Sequence, residues 1–322
     1  MTQFDIFNGD ADGLCALHQL RLERPLDSVL VTGVKRDVAL LQRVPARRGD
    51  AITVLDISAA TNHEALVALL ELGVTVDYFD HHHAGDLPRH PGLKAAIDPS
   101  PGVCTAMLVD RHLMGKWRVW AVVAAFGDNL PQEALELARS LALDHDRCEA
   151  LRELGEDLAY NAYGETISDL VIPPEALYQL MHRYADPFTF MHAEPIVRRL
   201  SESRQQDLTM ASGLDPELAF DHATIYVLPD APWSRRVFGV FGNHLASRFP
   251  DVAHAVLTPN AQGGYVVSVR APVTVRTGAD ALCRQFPTGG GRAAAAGINH
   301  LSREALPEFA RRFEKAFPAV PR

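Results

Sequence analysis

Cysteine is scarce: Cys15, Cys104, Cys148 and Cys283 are the only four in 322 residues, and no two form a CxxC pair. That spacing argues against a disulfide framework and a thiolate zinc site, and it suits a reducing compartment, so a cytoplasmic location is expected. Uninterrupted apolar runs long enough to cross a bilayer, about eighteen residues or more, do not occur. The opening residues, MTQFDIFNGD, lack the basic and apolar segments of a secretion signal, so a soluble, unexported protein with no membrane partner is expected. Basic charge is also in deficit: 31 Lys and Arg stand against 40 Asp and Glu, for a net charge of -9. Non-specific affinity for long duplexes comes from basic surface, so no long duplex nucleic acid is expected as a partner, whereas a short anion held locally is compatible.

What is present is hydrophobic residue in quantity, 47% of the chain, and enough length for two domains. Short apolar runs at 4–7, 29–31, 52–55 and 74–79 alternate with helix-like stretches such as 14–22 and 63–72. This is the βα alternation of a doubly wound, mainly parallel sheet, an α/β fold. Residues 131–185 read as a helical extension, with Pro173-Pro174 placed to open one helix. The stretch 186–222 lacks clear periodicity and reads as a connector. A second strand-and-helix pattern then gives strands at 224–228, 253–257 and 265–270, a helix at 234–247 and a final helix around 303–316. The expected division is thus 1–185, a connector over 186–222, and a smaller α/β domain over 223–322.

In open α/β sheets, reactive groups collect beyond the carboxyl ends of the strands. Asn8-Gly9-Asp10-Ala11-Asp12-Gly13 follows the first apolar run, Asp56-Ile57-Ser58 the third, and Asp80-His81-His82-His83 the fourth. Gly9 and Gly13 sharpen their loop, so that Asp10 and Asp12 can face one point. Oxygen-rich donors with one or two imidazoles suit manganese, magnesium or iron better than zinc. With two ions, a shared carboxylate would bridge them and phosphoryl oxygens would be clamped between. A lone Asp after a strand is more often a turn former or a helix cap, so the weight rests on the whole set. The NGDADG segment imitates a calcium loop, but it follows a strand and has Gln19 where that loop needs a bidentate Glu.

Asp10-Ala11-Asp12, Asp56, Asp80-His81-His82, and Asp128 in Ala125-Phe126-Gly127-Asp128-Asn129 resemble, in order, the four motifs of the DHH phosphoesterase superfamily. Gly289-Gly290-Gly291-Arg292-Ala293-Ala294-Ala295-Ala296-Gly297 resembles the signature of the DHHA1 domain that follows it in one branch of that family. The resemblance spans most of the chain. It implies a two-lobed phosphodiesterase with substrate between the lobes, usually dependent on manganese, with one or two ions bound and magnesium as the alternative. Carried over by residue, Asp10 and Asp56 would hold one ion, and Asp12, Asp56, His81 and Asp128 the other, with Asp56 as the bridge. His82 would donate to the scissile phosphate, and Asp80 would orient His81. His83 has no assigned role.

Relatives carry a further ligand before Asp10, either an Asp two positions earlier or a His four positions earlier; here those positions are Asn8 and Ile6. Asn8 offers a neutral carbonyl oxygen, so the first ion position is expected to be weak or completed by water. Arg292 replaces the His of the signature; its fork of donors suits phosphate, as do consecutive backbone N–H groups at Gly290 and Gly291. Arg270 resembles a nucleotide-contacting arginine, and Lys35 and Arg36 are further candidates for a phosphate contact. Ser100 to Thr105 offer backbone N–H groups to the site, or simply cap a helix.

The expected reaction is hydrolysis of a linear dinucleotide or very short oligoribonucleotide to nucleoside 5'-monophosphates. Cyclic dinucleotides and 3'-phosphoadenosine 5'-phosphate are alternatives in the same class, a catalytically weakened nucleotide-binding protein is the non-enzyme alternative, and a homodimer stays open. A processive single-strand exonuclease is disfavoured, because the sequence shows neither an added OB-like module nor a basic aromatic groove.

Overall fold

Strand β1 (Gln3–Phe7) is buried from Phe4 onward on both of its faces, the setting of a central strand in a covered parallel sheet. In the computed structural model, which describes residues 1–318, α1 (Ala11–Glu23), β2 (Val29–Val31), β3 (Ala51–Leu55), α2 (His63–Glu71), β4 (Thr75–Asp80) and β5 (Leu93–Ile97) follow it. The five strands form a parallel sheet in the order β2-β1-β3-β4-β5. One face packs Phe7, Leu55 and Phe79 against α1 and the later helices; the other packs Phe4, Ile6, Ile52 and Val76 against Leu66 and Leu70 of α2. The sheet is therefore doubly wound, as the alternation of apolar runs and helices implies. Strand order reverses between β1 and β3, which opens a crevice at their carboxyl ends.

Helices α3 (Thr105–His112), α4 (Arg118–Gly127), α5 (Pro131–Ser140), α6 (His145–Ala162), α7 (Pro174–Met181), α8 (Pro187–Ala193) and α9 (Pro195–Ser212) come next. A Cβ on Gly127 would fall 2.4 Å from the Ala11 Cβ and 2.8 Å from the Gly155 carbonyl. Glycine at 127 thus lets the end of α4 press against both the start of α1 and the middle of α6. The stretch 186–222 differs from the connector expected of it. Asp186 caps α8 by accepting from the Thr189 N–H, with Pro187 in the first turn, and α9 opens at Pro195 and carries an Arg198–Glu202 pair one turn apart. Capping and charge pairing make helix where the apolar rhythm is weak. The chain divides into two compact units within α9, Met1–Glu202 and Ser203–Arg322.

The second unit holds β6 (Leu218–Phe220), β7 (Ala223–Val227), α10 (Pro232–Arg248), β8 (Ala253–Pro259), β9 (Tyr265–Arg270), α11 (Ala279–Cys283), β10 (Gly289–Gly291), β11 (Ala295–Leu301) and α12 (Leu306–Ala316). Its sheet runs β10-β11-β9-β8-β7-β6, with β7 and β8 parallel and the other neighbours antiparallel. The glycine run does not form an anion-binding turn. It is drawn out as strand β10 and paired with Ala296 to Ile298, and Arg292 and Ala295 close the hairpin by exchanging backbone bonds of 2.9 and 3.2 Å. A Cβ at Gly291 would lie 2.5 Å from the Ala296 Cα, so the glycine is needed for close strand approach. No helix among the described residues is long and apolar enough to cross a membrane.

Candidate metal centre

The loop after β1 is folded by its own side chains. Asp10 is the N-cap of α1, its Oδ1 accepting from the N–H groups of Asp12 and Gly13 at 3.1 Å each. Asn8 Oδ1 accepts from the Asp10 N–H at 3.3 Å, and its amide donates to the Lys35 carbonyl at 3.4 Å. A Cβ on Gly13 would collide with the Asn8 carbonyl at 2.1 Å, so this turn admits only glycine there. The Asn8 side-chain oxygen, expected as a neutral metal donor, is thereby engaged inside the loop.

Asp12 points across to the start of α3, where its two oxygens accept from the Thr105 and Ala106 N–H groups at 2.7 Å each. The N–H groups expected to face the site from Ser100 to Thr105 therefore serve at the end of that segment, as an anchor for Asp12. Asp56 follows β3 with a φ of +59°, a left-handed conformation that costs a non-glycine residue and recurs where a site fixes the backbone. Thr105 Oγ1 donates to Asp56 Oδ1 at 3.4 Å. His81 brings Nε2 to 3.3 Å from Asp56 Oδ1 and 3.9 Å from Asp12 Oδ2. Its Nδ1 lies 2.8 Å from the Val103 carbonyl, which accepts the Nδ1–H and turns Nε2 toward the two carboxylates.

The structure corrects the expectation that Asp80 orients His81. Asp80 Oδ1 meets His82 Nδ1 at 2.7 Å, while His81 is steered by Val103. The His81 Nδ1–H is already bonded to the Val103 carbonyl, so the Asp80 carboxylate is left to His82, two residues on. His82 Nδ1 also lies 3.8 Å from Asp56 Oδ1, so Asp56, His81 and His82 offer donor atoms all within 4.8 Å of one another. The other oxygen of Asp80 is buried and finds no hydrogen-bond partner among the described residues. His83 lies on the exposed loop beyond, where its ring accepts from the Gly85 N–H.

Asp128 is the C-cap of α4 and enters from the opposite side. Lys35, absent from the expected metal shell, lies between acids: its Nζ is 2.5 Å from Asp10 Oδ2 and 4.0 Å from Asp128 Oδ1. Burial alone would raise the Asp10 carboxyl, but the Lys35 ammonium overrides it and holds the group down to about 2. Burial, then Asp10 and Asp12, push Asp56 well above the usual carboxylate range against the pull of His81. Burial also lifts Asp128, to about 6, with Lys35 opposing and Asp12 adding to the rise. Burial disfavours a charged His81, yet Asp56, Asp12 and Asp128 outweigh it and bring the imidazole up to about 10. Asp56 and Asp128 are thus pressed toward their neutral forms by burial and neighbouring carboxylates, and His81 toward its charged form. Asp12, Asp56 and His81, with Asp128 beside them, are an oxygen-rich donor set with one oriented imidazole, and they fit a divalent ion of the manganese or magnesium kind.

Arg36 follows Lys35 on an exposed turn. Arg270, on β9, donates to Asn243 Oδ1 at 2.7 Å and Ser268 Oγ at 2.9 Å, and Arg292 is exposed at the tip of the β10–β11 hairpin.

Solved structures share this architecture. An exonuclease RecJ bound to manganese aligns with a TM-score of 0.62 and 20% identity, over 99% of this chain and 91% of that one. RecJ from Thermus thermophilus in complex with Mn2+ gives 0.60 at 19% identity, and this chain, 99% covered, spans 52% of its length. PggH from Vibrio cholerae, described as a pGpG-specific phosphodiesterase, gives 0.57 at 17% identity with 97% of each chain covered. No family model and no curated protein matches the sequence. At these identities the likeness is one of architecture: the chain has the fold of the RecJ structures.

Proposed function

We propose that this chain is a divalent-metal-dependent phosphodiesterase that cuts linear dinucleotides or very short oligoribonucleotides to nucleoside 5'-monophosphates, with manganese as its ion. The observation that carries the proposal is the convergence of Asp12, Asp56 and His81 at the strand-order reversal, with His81 Nε2 aimed at the carboxylates by the Val103 carbonyl. PggH, matched over nearly its whole length, supports the choice of a short linear substrate.

In this reading Asp12, Asp56, His81 and Asp128 hold the ion, which when bound supplies Lewis acidity and favours ionisation of water. The α3 amides keep Asp12 in place for that task. Asp80 Oδ1 accepts the Nδ1–H of His82, whose side chain is 45% exposed, and that ring is the group proposed to donate to a phosphate oxygen as charge develops. Arg36 in the first unit, and Arg270 and Arg292 in the second, are proposed to contact phosphate, with Gly290 and Gly291 shaping the strand that carries Arg292.

The test is chromatographic detection of nucleoside 5'-monophosphates from pGpG and a panel of linear dinucleotides with manganese, beside Asp56→Ala. Turnover lost in the variant is expected. A manganese-loaded wild type that leaves every linear dinucleotide intact overturns the substrate assignment, and cyclic dinucleotide and 3'-phosphoadenosine 5'-phosphate lanes then show which alternative holds.

A further inference from the structure

Lys35 sits where a second cation would otherwise be required, and the loop is built to keep it there. Its backbone N–H donates to the Ala162 carbonyl at the end of α6 at 2.9 Å, and its own carbonyl accepts from the Asn8 amide. The side chain, 29% exposed, extends to Asp10 Oδ2, lies 4.0 Å from Asp128 Oδ1, and has its ammonium 5.6 Å from the centre of the Tyr163 ring. Carboxylate, second carboxylate and aromatic face are the usual surroundings of a bound cation.

The oxygens on this side are already occupied. Asp10 Oδ1 accepts two N–H groups of α1, Asp10 Oδ2 accepts the ammonium, and Asn8 Oδ1 accepts the Asp10 N–H. Around Asp12, Asp56 and His81 no ammonium intrudes: Asp12 accepts the two α3 amides, Asp56 Oδ1 accepts the Thr105 hydroxyl, and His81 Nε2 faces Asp56 Oδ1 at 3.3 Å and Asp12 Oδ2 at 3.9 Å. A divalent ion placed at Asp10 would have to expel an ammonium from its ion pair, whereas one placed beside His81 Nε2 meets two carboxylates with no lysine between them.

We propose that the Lys35 ammonium is a built-in replacement for one of two metal ions, so that the centre takes a single divalent ion at Asp12, Asp56 and His81. This rests on the metal-dependent reading above. It makes Lys35 the fixed cation of the Asp10 side, neutralising Asp10.

The experiment measures bound manganese per chain by equilibrium dialysis and elemental mass spectrometry, with electron paramagnetic resonance to tell an isolated ion from a coupled pair. Wild type and Lys35→Arg are expected to hold about one ion with the hyperfine pattern of an isolated centre. Lys35→Met, and Asn8→Asp combined with Lys35→Met, remove the ammonium and restore donors; at least the double variant is expected to rise to about two ions with a spin-coupled spectrum. Circular dichroism selects the variants that keep the fold. Two coupled ions in wild type, or a folded double variant that stays at one, overturns the ammonium replacement and leaves the metal-dependent reading standing. A wild type that binds no manganese overturns both.

Discussion

Replacing Asp128 with asparagine is expected to stabilise the metal-free protein at neutral pH while weakening its hold on the ion. Asp128 is 17% exposed, and burial together with Asp12 lifts its carboxyl to about 6 against the attraction of Lys35 and His81. The sign follows from proton binding. Between about pH 4 and pH 6 the folded state keeps a proton that the unfolded chain releases, so this carboxyl makes stability fall as pH rises through that window. The loss is complete above about pH 6, and at about 1.4 kcal/mol per pKa unit a rise of about two units caps it at about 3 kcal/mol. Asparagine carries no charge to desolvate, so the variant escapes the penalty.

Thermal unfolding with chelator at about pH 7.5 should place Asp128→Asn above wild type by up to roughly 6 to 12 °C, taking about 2 to 4 °C per kcal/mol for a unit of this size. Near pH 4 the two should coincide. Adding manganese should shrink or reverse the gap, because binding at a hundredfold excess over Kd returns about 2.7 kcal/mol to the protein that binds it. A variant less stable than wild type in chelator at neutral pH, or a gap independent of pH, would refute the argument that the centre is electrostatically frustrated without a cation.

His82→Gln should retain the manganese content of wild type and lose roughly a hundredfold or more in kcat, the scale of a general acid or donor, whereas His81→Ala should lose the ion itself; elemental analysis beside kinetics separates them. Asp5 and Arg21 form an ion pair under the sheet, Asp5 fully buried and also bonded by Ser28, so Arg21→Met should cost about 3 to 5 kcal/mol in urea unfolding by stranding the carboxylate. Asp5→Val added to Arg21→Met should recover most of that loss. Gly127→Ala should push α4 from α1 and α6, costing about 1 to 3 kcal/mol and lowering manganese affinity, read by titration calorimetry.

The acids of the centre were legible because each follows an apolar run. Asp10 and Asp12 follow β1, Asp56 follows β3, and Asp80 with its histidines closes β4, so the sheet rule alone brings them to one edge. What sequence could not carry was the work done by backbone. The Val103 carbonyl that sets the His81 tautomer and the Thr105 and Ala106 amides that hold Asp12 have no side-chain signature. Lys35 was visible as a basic residue after a strand, but its place between Asp10 and Asp128 depends on the Ala162 carbonyl, distant in the chain. The alanine-rich segment after Arg292 carries no strand signal in the sequence. Alanine favours helix, but Gly289 to Gly291 permit a close antiparallel approach, and pairing with β9 and β10 draws the segment into strand β11.

Three helix ends meet the carboxylates of the centre, and they do not treat them alike. Asp10 caps the start of α1 and Asp12 accepts from the start of α3, positions where the helix dipole favours negative charge. Asp128 instead terminates α4, beside carbonyl groups, where a cation would be the stabilising choice. The chain then turns sharply: Asn129 takes a φ of +59° and the Leu130 N–H closes on the Ala125 carbonyl at 2.8 Å, which holds Asp128 at the corner. An acid fixed against the negative end of a helix is tolerable only where positive charge stands opposite it. Lys35 at 4.0 Å and the raised His81 provide part of that charge, and the proposed divalent ion provides the rest. The same arithmetic that makes Asp128 a burden in the metal-free protein therefore makes it a strong ligand once the ion is bound.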